Sequence, residues 1–191
     1  RVYGPVRRAA GVYAFGRDIE SGRQVWSASE GYPGDAAYRD FYRDLGYDGE
    51  YGYVKPYLHA DGQRRHLGIK YHRITGKVDL HMKALYEPGR AAECARTHAG
   101  NFLFNRQQQL RHLRGTLGRL PTVLSPYDAE LFGHWWFEGP QFLHELLRQS
   151  AGQDEVRFTT PREVLSQGGP VQRSTPAFST WGNKGYAEVW L

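Results

Sequence analysis

The sequence predicts a single α/β domain, because segments of helical periodicity alternate with short β-favouring runs. From Pro88 to Leu120 apolar residues recur at steps of three and four, which is the period of an amphipathic helix. Pro121 ends that pattern, and the run TVLS that follows it favours a short strand. Helices and strands that alternate in this way are typical of βα units and a parallel sheet.

The segments after residue 138 continue the alternation. Gly139-Pro140 is a good helix start, and the residues QFLHELLRQS place their apolar side chains on one side. The run EVRFTT, residues 155–160, predicts a second strand, and Thr160-Pro161 begins a further short helix. Functional loops of parallel sheets gather at the C-terminal ends of strands. Asp128, which follows TVLS, is therefore predicted to lie at such an end.

The first third of the chain has a different character. It is rich in Gly and Tyr and has weak periodicity, so we expect a short strand near residues 12–15 followed by long irregular loops. Such loops carry function more often than regular elements do. The segment GIKYHRITG, residues 68–76, favours a strand that ends in a turn.

Composition limits the class of protein. The chain has 191 residues and a formal net charge of +5. Its basic residues are mostly arginine and lie among Asp and Glu, which is typical of a solvated surface rather than a nucleic-acid-binding patch. Its apolar runs are far shorter than the roughly 20 residues needed to cross a bilayer. We therefore expect neither a nucleic-acid partner nor a membrane partner.

The cysteine and the histidines bear on redox state and metals. Cys94 is the single cysteine, and it lies at helical spacing with alanines 91, 95 and 99, which suits a structural thiol in a reduced, cytoplasmic core. The eight histidines show no compact ligand spacing, and the sequence has no CxxC pair, HExxH or Gly-rich phosphate loop. We expect a cytoplasmic protein and no metal site.

The run SPYDAELFGHWWFEGP, residues 125–140, combines acids with aromatic rings. Breaking or transferring a glycosidic bond requires two carboxyl groups, one of which donates a proton to the leaving oxygen. Asp128 could be that donor, and Glu130 is the rival acid. Nearby rings would desolvate the acid and offer faces to pyranose rings; they are Tyr127, Phe132, Trp135 and Trp136.

Two other polar residues of this run have separate interpretations. Glu138 precedes the predicted helix at Gly139-Pro140, where negative charge is favourable, so we expect it to serve the helix N-terminus. His134 could contact a sugar hydroxyl or could be a buried, hydrogen-bonded ring, and the sequence favours neither.

The run PYDAELFGHWWFEGP resembles a signature of glycoside hydrolase family 57. The segments GRDIESGRQVWSASEGYPGDAAYRDFYRDLG, GIKYHRITG and STWGNKGYAEVW are similar to the 1,4-α-glucan branching enzymes of that family. The resemblance implies part of a distorted (β/α)7 barrel with long irregular loops. It also implies cleavage of an α-1,4-glucan with retention and transfer of the chain to a 6-hydroxyl. Donor and acceptor would be amylose or a glycogen-like glucan, without a metal or an organic cofactor.

The resemblance also implies roles for individual residues. Asp128 matches the general acid/base. Trp26, Trp181 and Trp190 resemble tryptophans that line the glucan groove, although AEVWL around Trp190 also reads as a half-buried strand. Sugar contacts are implied for Arg17 and His134.

The family's nucleophile is a glutamate in a motif that has no match in this sequence. Residues 1–191 therefore resemble the C-terminal portion of a family 57 catalytic domain, without the nucleophile-bearing N-terminal part and without a C-terminal helical domain. The chain alone is expected to be inactive and to partner the remainder of that domain. A 4-α-glucanotransferase or α-amylase of the same family, or a non-catalytic glucan-binding protein, are the alternatives.

Overall fold

A computed structural model describes residues 3–8, 11–175, 177, 178 and 180. A three-stranded sheet has the order β2-β1-β3. Strand β1 (Val6–Arg7) pairs antiparallel with β2 (Tyr13–Ala14), in the register Val6 to Ala14, and parallel with β3 (Gln172–Arg173). Each strand is two residues long. The sheet is therefore a small mixed element that joins the two ends of the described chain.

Six α-helices follow the chain among the described residues. They are α1 (Ile19–Trp26), α2 (Leu45–Asp48), α3 (Tyr51–Val54), α4 (Pro88–Leu117), α5 (Gly139–Ser150) and α6 (Pro161–Ser166). Single 3₁₀ turns occupy Tyr32–Gly34, Lys55–Tyr57, Leu80–Met82 and Ala129–Leu131. No helix in this part of the chain has the length and hydropathy that crossing a membrane requires.

The core lies between α4 and α5. Alanines 91, 95 and 99 of α4 are fully buried, and Phe102 meets Phe142 of α5 edge-on with ring centroids 5.9 Å apart. Trp136, which precedes α5, packs against Phe142 at 5.0 Å and against Tyr38 of the preceding loops at 5.4 Å. The helix pair thus provides the apolar surface against which residues of the irregular first third, such as Tyr38, pack.

Helices α4, α5 and α6 confirm their sequence predictions, whereas α1 lies where the sequence analysis expected irregular loops. Helix α4 begins at Pro88 and ends at Leu117, where Gly118 adopts the left-handed conformation, φ 63°, that closes many helices. Helix α6 begins with a capping box in which Thr160 and Glu163 satisfy each other's backbone N–H groups. The short strand near residues 12–15 is also present, as β2.

The other strand predictions hold only in part or are wrong. In TVLS, only Leu124 forms a β-bridge, parallel to Arg17. In residues 68–76, His72 bridges Leu85 and Arg73 bridges Arg39, both antiparallel. EVRFTT forms no strand: five of its six residues are exposed, and β-favouring residues form a strand only where a neighbouring segment can pair with them. The α/β class therefore holds only as helices with a small mixed sheet, and the runs TVLS and EVRFTT form no parallel sheet among the described residues.

Buried carboxylates organise the loops between α1 and α4. Asp44, 1% exposed, accepts the backbone N–H groups of Gly46, Leu67 and Gly68 at 2.8, 2.8 and 2.9 Å. It also lies 3.1 Å from the Lys70 ammonium. Burial acts to raise the pKa of Asp44, but the backbone hydrogen bonds and Lys70 outweigh it, and the pKa is lowered. One charged side chain thus joins α2 to residues 67–70.

Candidate active site

Asp128 lies at the end of an extended segment that follows α4. The backbone of this segment is held by the Arg17–Leu124 bridge and by the N–H of Asp18, which donates to the Leu124 carbonyl at 2.8 Å. The chain then turns into the 3₁₀ helix of residues 129–131, for which Asp128 is the N-cap residue without a side-chain cap hydrogen bond. Asp128 is half-buried. Its carboxyl group therefore remains available at a position fixed by its backbone.

Helix α1 holds the residues immediately before Asp128. The Ser21 and Ser125 hydroxyls share a hydrogen bond at 2.5 Å, and the Tyr127 hydroxyl donates to the Ser21 carbonyl at 3.0 Å. Burial raises the pKa of Tyr127 to about 12, so this hydroxyl keeps its proton and stays a donor at neutral pH. The loop that carries Asp128 is consequently attached to α1 by side chains as well as by backbone.

A buried ionic network connects α1 to α4. Arg106 of α4 is 4% exposed, and its guanidinium donates to Asp18 at 3.3 Å, to Glu20 at 2.8 Å and to Gln24 at 3.2 Å. The Gln109 amide donates to the other Asp18 oxygen at 2.8 Å. Burial acts to raise the pKa of Asp18, but hydrogen bonds from Ser21 and Gln109 and the Arg106 charge lower it overall. The network fixes α1 to α4, and with it the segment leading to Asp128.

The sequence analysis missed this network, although it contains a signal. Arg106 lies at helical spacing from Phe102, Leu103 and Leu110, so a charged residue interrupts the apolar side of α4. A charge on the buried side of a helix requires a partner. That position could have indicated an ionic contact.

Arg17 and Trp26 lie at opposite ends of α1. Trp26 is the last residue of the helix and is 46% exposed. Arg17 is exposed and borders a cavity of about 400 Å³, lined by Tyr3, Arg17, Asp18, Ile19, Glu20, Arg23, Gln24 and Glu30. Neither Trp26 nor Asp128 is among the lining residues of that cavity. The structure thus brings Arg17 beside the segment that precedes Asp128 and leaves an indole face of α1 open to solvent.

His134 borders a second, more aromatic cavity of about 320 Å³. Its ring is exposed and meets Phe41 edge-on, with centroids 5.7 Å apart. Phe41 and Trp135 are nearly parallel, 15° apart with centroids at 5.9 Å. We call this space the aromatic cavity. It is lined by Arg39, Asp40, Phe41, His66, Gly68, Lys70, His134, Trp135 and Phe137. The exposure of His134 contradicts the interpretation as a buried ring, and the contact with a sugar hydroxyl stays a prediction.

The cations of the aromatic cavity have partners of their own. Lys70 donates to the Phe41 carbonyl at 2.6 Å and pairs with Asp44, and the Arg39 guanidinium stacks on the Phe137 ring at 3.6 Å. Because both cations are already paired, the aromatic cavity presents mainly aromatic ring surface to a ligand. Trp135, 56% exposed, is a suitable face for a pyranose ring. Phe41 is an aromatic contact that the sequence analysis did not single out.

Two residues of the 125–140 run differ from expectation. Trp136 is a core residue, 1% exposed, and cannot present a face to a ligand. Glu138 holds the N-cap position of α5 but makes no side-chain cap hydrogen bond. Its fully buried carboxylate instead accepts the Arg39 N–H at 3.0 Å. Glu138 thus lies at the helix N-terminus as predicted, but its side chain fixes the preceding loop. Glu130 is exposed.

Three potential metal ligands that the sequence analysis did not connect come together elsewhere. Asp35, Cys94 and His98 place one donor atom each within 4.8 Å of one another. Burial raises the pKa of the Cys94 thiol to about 11 and lowers the pKa of His98. Cys94 and His98 are one turn apart on α4, a spacing visible in the sequence, whereas Asp35 is contributed by a distant loop.

Two predicted sugar contacts, Trp181 and Trp190, lie outside the described residues. Their roles stay predictions.

Comparison with known sequences identifies relatives. No protein-family model matches the sequence. The chain is 37% identical over 186 residues to a probable 1,4-alpha-glucan branching enzyme of Mycobacterium tuberculosis. The aligned region covers 94% of this chain and 30% of that protein. The chain is also 38% identical over 184 residues to a 1,4-alpha-glucan branching enzyme of Thermococcus kodakarensis, covering 96% of this chain and 24% of that protein. The chain thus spans less than a third of the length of these curated relatives.

Solved structures give the same result for the fold. The alpha-amylase AmyC of Thermotoga maritima is 46% identical, with a TM-score of 0.90 over 96% of this chain and 36% of that one. The GH57-type branching enzyme of Pyrococcus horikoshii is 32% identical, with a TM-score of 0.81 over 100% of this chain and 32% of that one. By sequence and by fold, the chain is homologous over almost its whole length to a segment of the glycoside hydrolase family 57 branching enzymes.

Proposed function

We propose that the chain is part of a retaining 1,4-α-glucan branching enzyme, in which Asp128 is the general acid/base. The similarity to proteins named branching enzymes over 94–96% of this chain carries the proposal. We further infer that the segment forms the C-terminal portion of a distorted (β/α)7 barrel. The parallel Arg17–Leu124 pairing beside the Asp128 loop supports this, because catalytic residues of such barrels follow parallel strands.

Asp128 would act twice in such a reaction. As an acid it donates a proton to the glycosidic oxygen while a nucleophile attacks the anomeric carbon. As a carboxylate it then takes the proton of the acceptor 6-hydroxyl, which attacks the glycosyl-enzyme and forms the α-1,6 branch. A half-buried position suits both roles, because the backbone holds the carboxyl group in place while an open side admits the sugar. The nucleophile would be a glutamate of the remainder of the catalytic domain.

We infer that exposed ring faces hold the glucan. Trp26 at the end of α1 and Trp135 in the aromatic cavity are exposed, and an indole face packs well against a pyranose ring. Arg17 and His134 are exposed polar neighbours that could bind sugar hydroxyls. We infer that donor and acceptor are amylose-like or glycogen-like chains, that the protein serves glycogen-type synthesis, and that it works in the reducing cytoplasm, which suits a free Cys94.

An α-amylase is the second candidate. The 46% identity to the Thermotoga maritima amylase is higher than the identities to the branching enzymes above. The two activities share the glycosyl-enzyme and differ in whether water or a sugar hydroxyl resolves it. The ratio of branch formation to reducing-end release in the complete protein therefore distinguishes them, and a high ratio supports the branching enzyme.

The central test is Asp128→Asn in the complete protein. The substitution keeps the shape and removes the titrating proton, so turnover of amylose should fall by roughly 10²–10⁴-fold. Glu130→Gln is the matched control, because Glu130 is an exposed acid two residues away in the same turn, and it should cost far less. Branching is followed by the loss of iodine staining and cleavage by reducing ends, with a thermal melt to establish folding. Equal losses at both positions, or no loss at either, would assign the proton transfer elsewhere. A complete protein that binds glucan without any turnover would be the non-catalytic alternative.

A further inference from the structure

Asp35, Cys94 and His98 form a compact set of donor atoms between α4 and the loop at residue 35. The Cys94 sulfur lies 3.8 and 3.9 Å from the two ring nitrogens of His98, and an Asp35 oxygen lies 3.8 Å from His98 Nε2. Two ligands that each lie about 2.0–2.3 Å from a tetrahedral Zn²⁺ are themselves roughly 3.5 Å apart. Small side-chain rotations would therefore place the three donors around one ion.

Neighbouring groups orient the His98 ring. Tyr32 stacks on it, with centroids 4.6 Å apart and planes 28° apart, and Tyr38 meets it edge-on. The Tyr38 hydroxyl forms a hydrogen bond with His98 Nδ1 at 2.8 Å. In the tautomer whose Nδ1–H donates a hydrogen bond to the Tyr38 hydroxyl, Nε2 carries a free electron pair on the side of the Asp35 oxygen. Metal-binding histidines are commonly held in this way by a partner on the second ring nitrogen.

The Asp35 carboxylate is oriented as well. Its Oδ1 accepts the Ala37 N–H at 2.8 Å, which leaves Oδ2 on the side of His98. The His98 and Asp35 side chains are 19% and 36% exposed, so an ion can enter from solvent and a water molecule can complete the coordination. The donors are thus positioned by contacts that do not require the ion.

The donor chemistry selects the metal. Mg²⁺ and Ca²⁺ take oxygen ligands, whereas a sulfur, an imidazole nitrogen and one carboxylate suit Zn²⁺. A thiolate and a carboxylate together neutralise the charge of one divalent ion. We propose that Asp35, Cys94 and His98 bind Zn²⁺, with water as the fourth ligand, and that the ion clamps the loop at residue 35 to α4. This site is independent of Asp128 and of the proposed glucan chemistry.

The test is metal titration of the complete protein after chelator treatment. Calorimetry with ZnCl₂ should give one site per chain, and Co²⁺ as a probe should give the charge-transfer band of a thiolate ligand. Cys94→Ser should abolish that band, and His98→Gln and Asp35→Asn should each weaken Zn²⁺ binding by more than tenfold. Tyr38→Phe, which removes only the hydroxyl, should weaken it by roughly 10–100-fold. His112→Gln is the control, an exposed histidine on the same helix, and should bind as the unmodified chain does.

Folding is checked separately, by circular dichroism and by thermal melts in chelator. Zn²⁺ should raise the melting temperature of the unmodified chain and of His112→Gln, because an ion that binds only the folded state stabilises it. It should not do so for Cys94→Ser. A natively folded chain that shows no saturable Zn²⁺ binding, or one whose binding survives both Cys94→Ser and His98→Gln, would overturn the proposal and leave a hydrogen-bonded cluster without an ion.

Discussion

The α4–α5 pair and the loop region at residues 27–87 are ordered by different forces. In the helix pair, apolar side chains at regular spacing bury one another, as Phe102 and Phe142 do. In the loop region the α-helices are four residues long, and buried carboxylates such as Asp44 bind backbone N–H groups from separate segments. Order without regular structure therefore depends on a few charged residues, each of which replaces several backbone hydrogen bonds.

The largest effect is expected in the helical region. Trp136→Ala removes a ring that is 1% exposed and packed against Tyr38 and Phe142, so the free energy of unfolding should fall by about 3–5 kcal/mol. Trp135→Ala is the matched control, because Trp135 is the next residue and is 56% exposed; its cost should be within about 0.5 kcal/mol. Urea denaturation measures both. A loss of unfolding free energy for Trp136→Ala as small as that for Trp135→Ala would mean that the core does not depend on the buried ring.

In the loop region, the free energy of unfolding should fall when a side chain loses its charge but keeps its shape. Asp44→Asn takes away the carboxylate that binds three backbone N–H groups and leaves Lys70 with its side chain mostly buried. We expect a loss of up to about 3 kcal/mol near pH 7. Asp79→Asn is the control, because Asp79 is exposed and makes no side-chain cap hydrogen bond.

The same variant gives a signed pH dependence. The pKa of Asp44 is lowered in the folded chain, so its contribution is complete above the ordinary pKa and is lost as the pH falls through the folded pKa. The stability difference between the unmodified chain and Asp44→Asn should be constant from neutral pH to about pH 5 and shrink below about pH 4. A difference that grew on acidification would contradict the assignment.

Two glycines give the smallest effects, with opposite signs in the two regions. A Cβ at Gly46, in the loop region, would lie 1.9 Å from the Arg65 carbonyl oxygen, so Gly46→Ala should cost about 1–3 kcal/mol. At Gly115, on α4, a Cβ meets nothing within 4 Å, and Gly115→Ala should gain about 0.5–1 kcal/mol through helix propensity. Thermal melts of both variants report the sign, and a shared sign would remove the contrast between the regions.

The sequence predicted the elements whose apolar residues recur at a regular local spacing. Helices α4 and α5 follow from apolar residues at three- and four-residue steps and from Pro and Gly at their ends. EVRFTT shows the limit of this reasoning, because strand formation depends on a partner segment that local pattern does not reveal. The organising role of Asp44 was invisible for a related reason: two of its backbone partners, Leu67 and Gly68, are 23 and 24 residues away and follow no period.

The candidate site was predictable to a similar extent. The composition of residues 125–140 and the family resemblance single out Asp128 and His134, but spacing alone could not place Arg17 beside Leu124 or separate the exposed Trp135 from the buried Trp136. A strictly alternating pattern would have distinguished adjacent tryptophans; an irregular turn does not. Roles for Trp26, Trp181 and Trp190 still depend on the resemblance.

The contact between Ser21 and Ser125 joins positions 104 residues apart and has a consequence for chain length. The entropy lost on closing a loop grows only with the logarithm of its length, so doubling the loop costs roughly 0.6 kcal/mol. Extra residues inserted between these positions would therefore destabilise the contact very little, provided that they enter at an exposed turn such as residues 59–62. Relatives of different length can thus diverge in the loops while the two segments beside Asp128 keep their register.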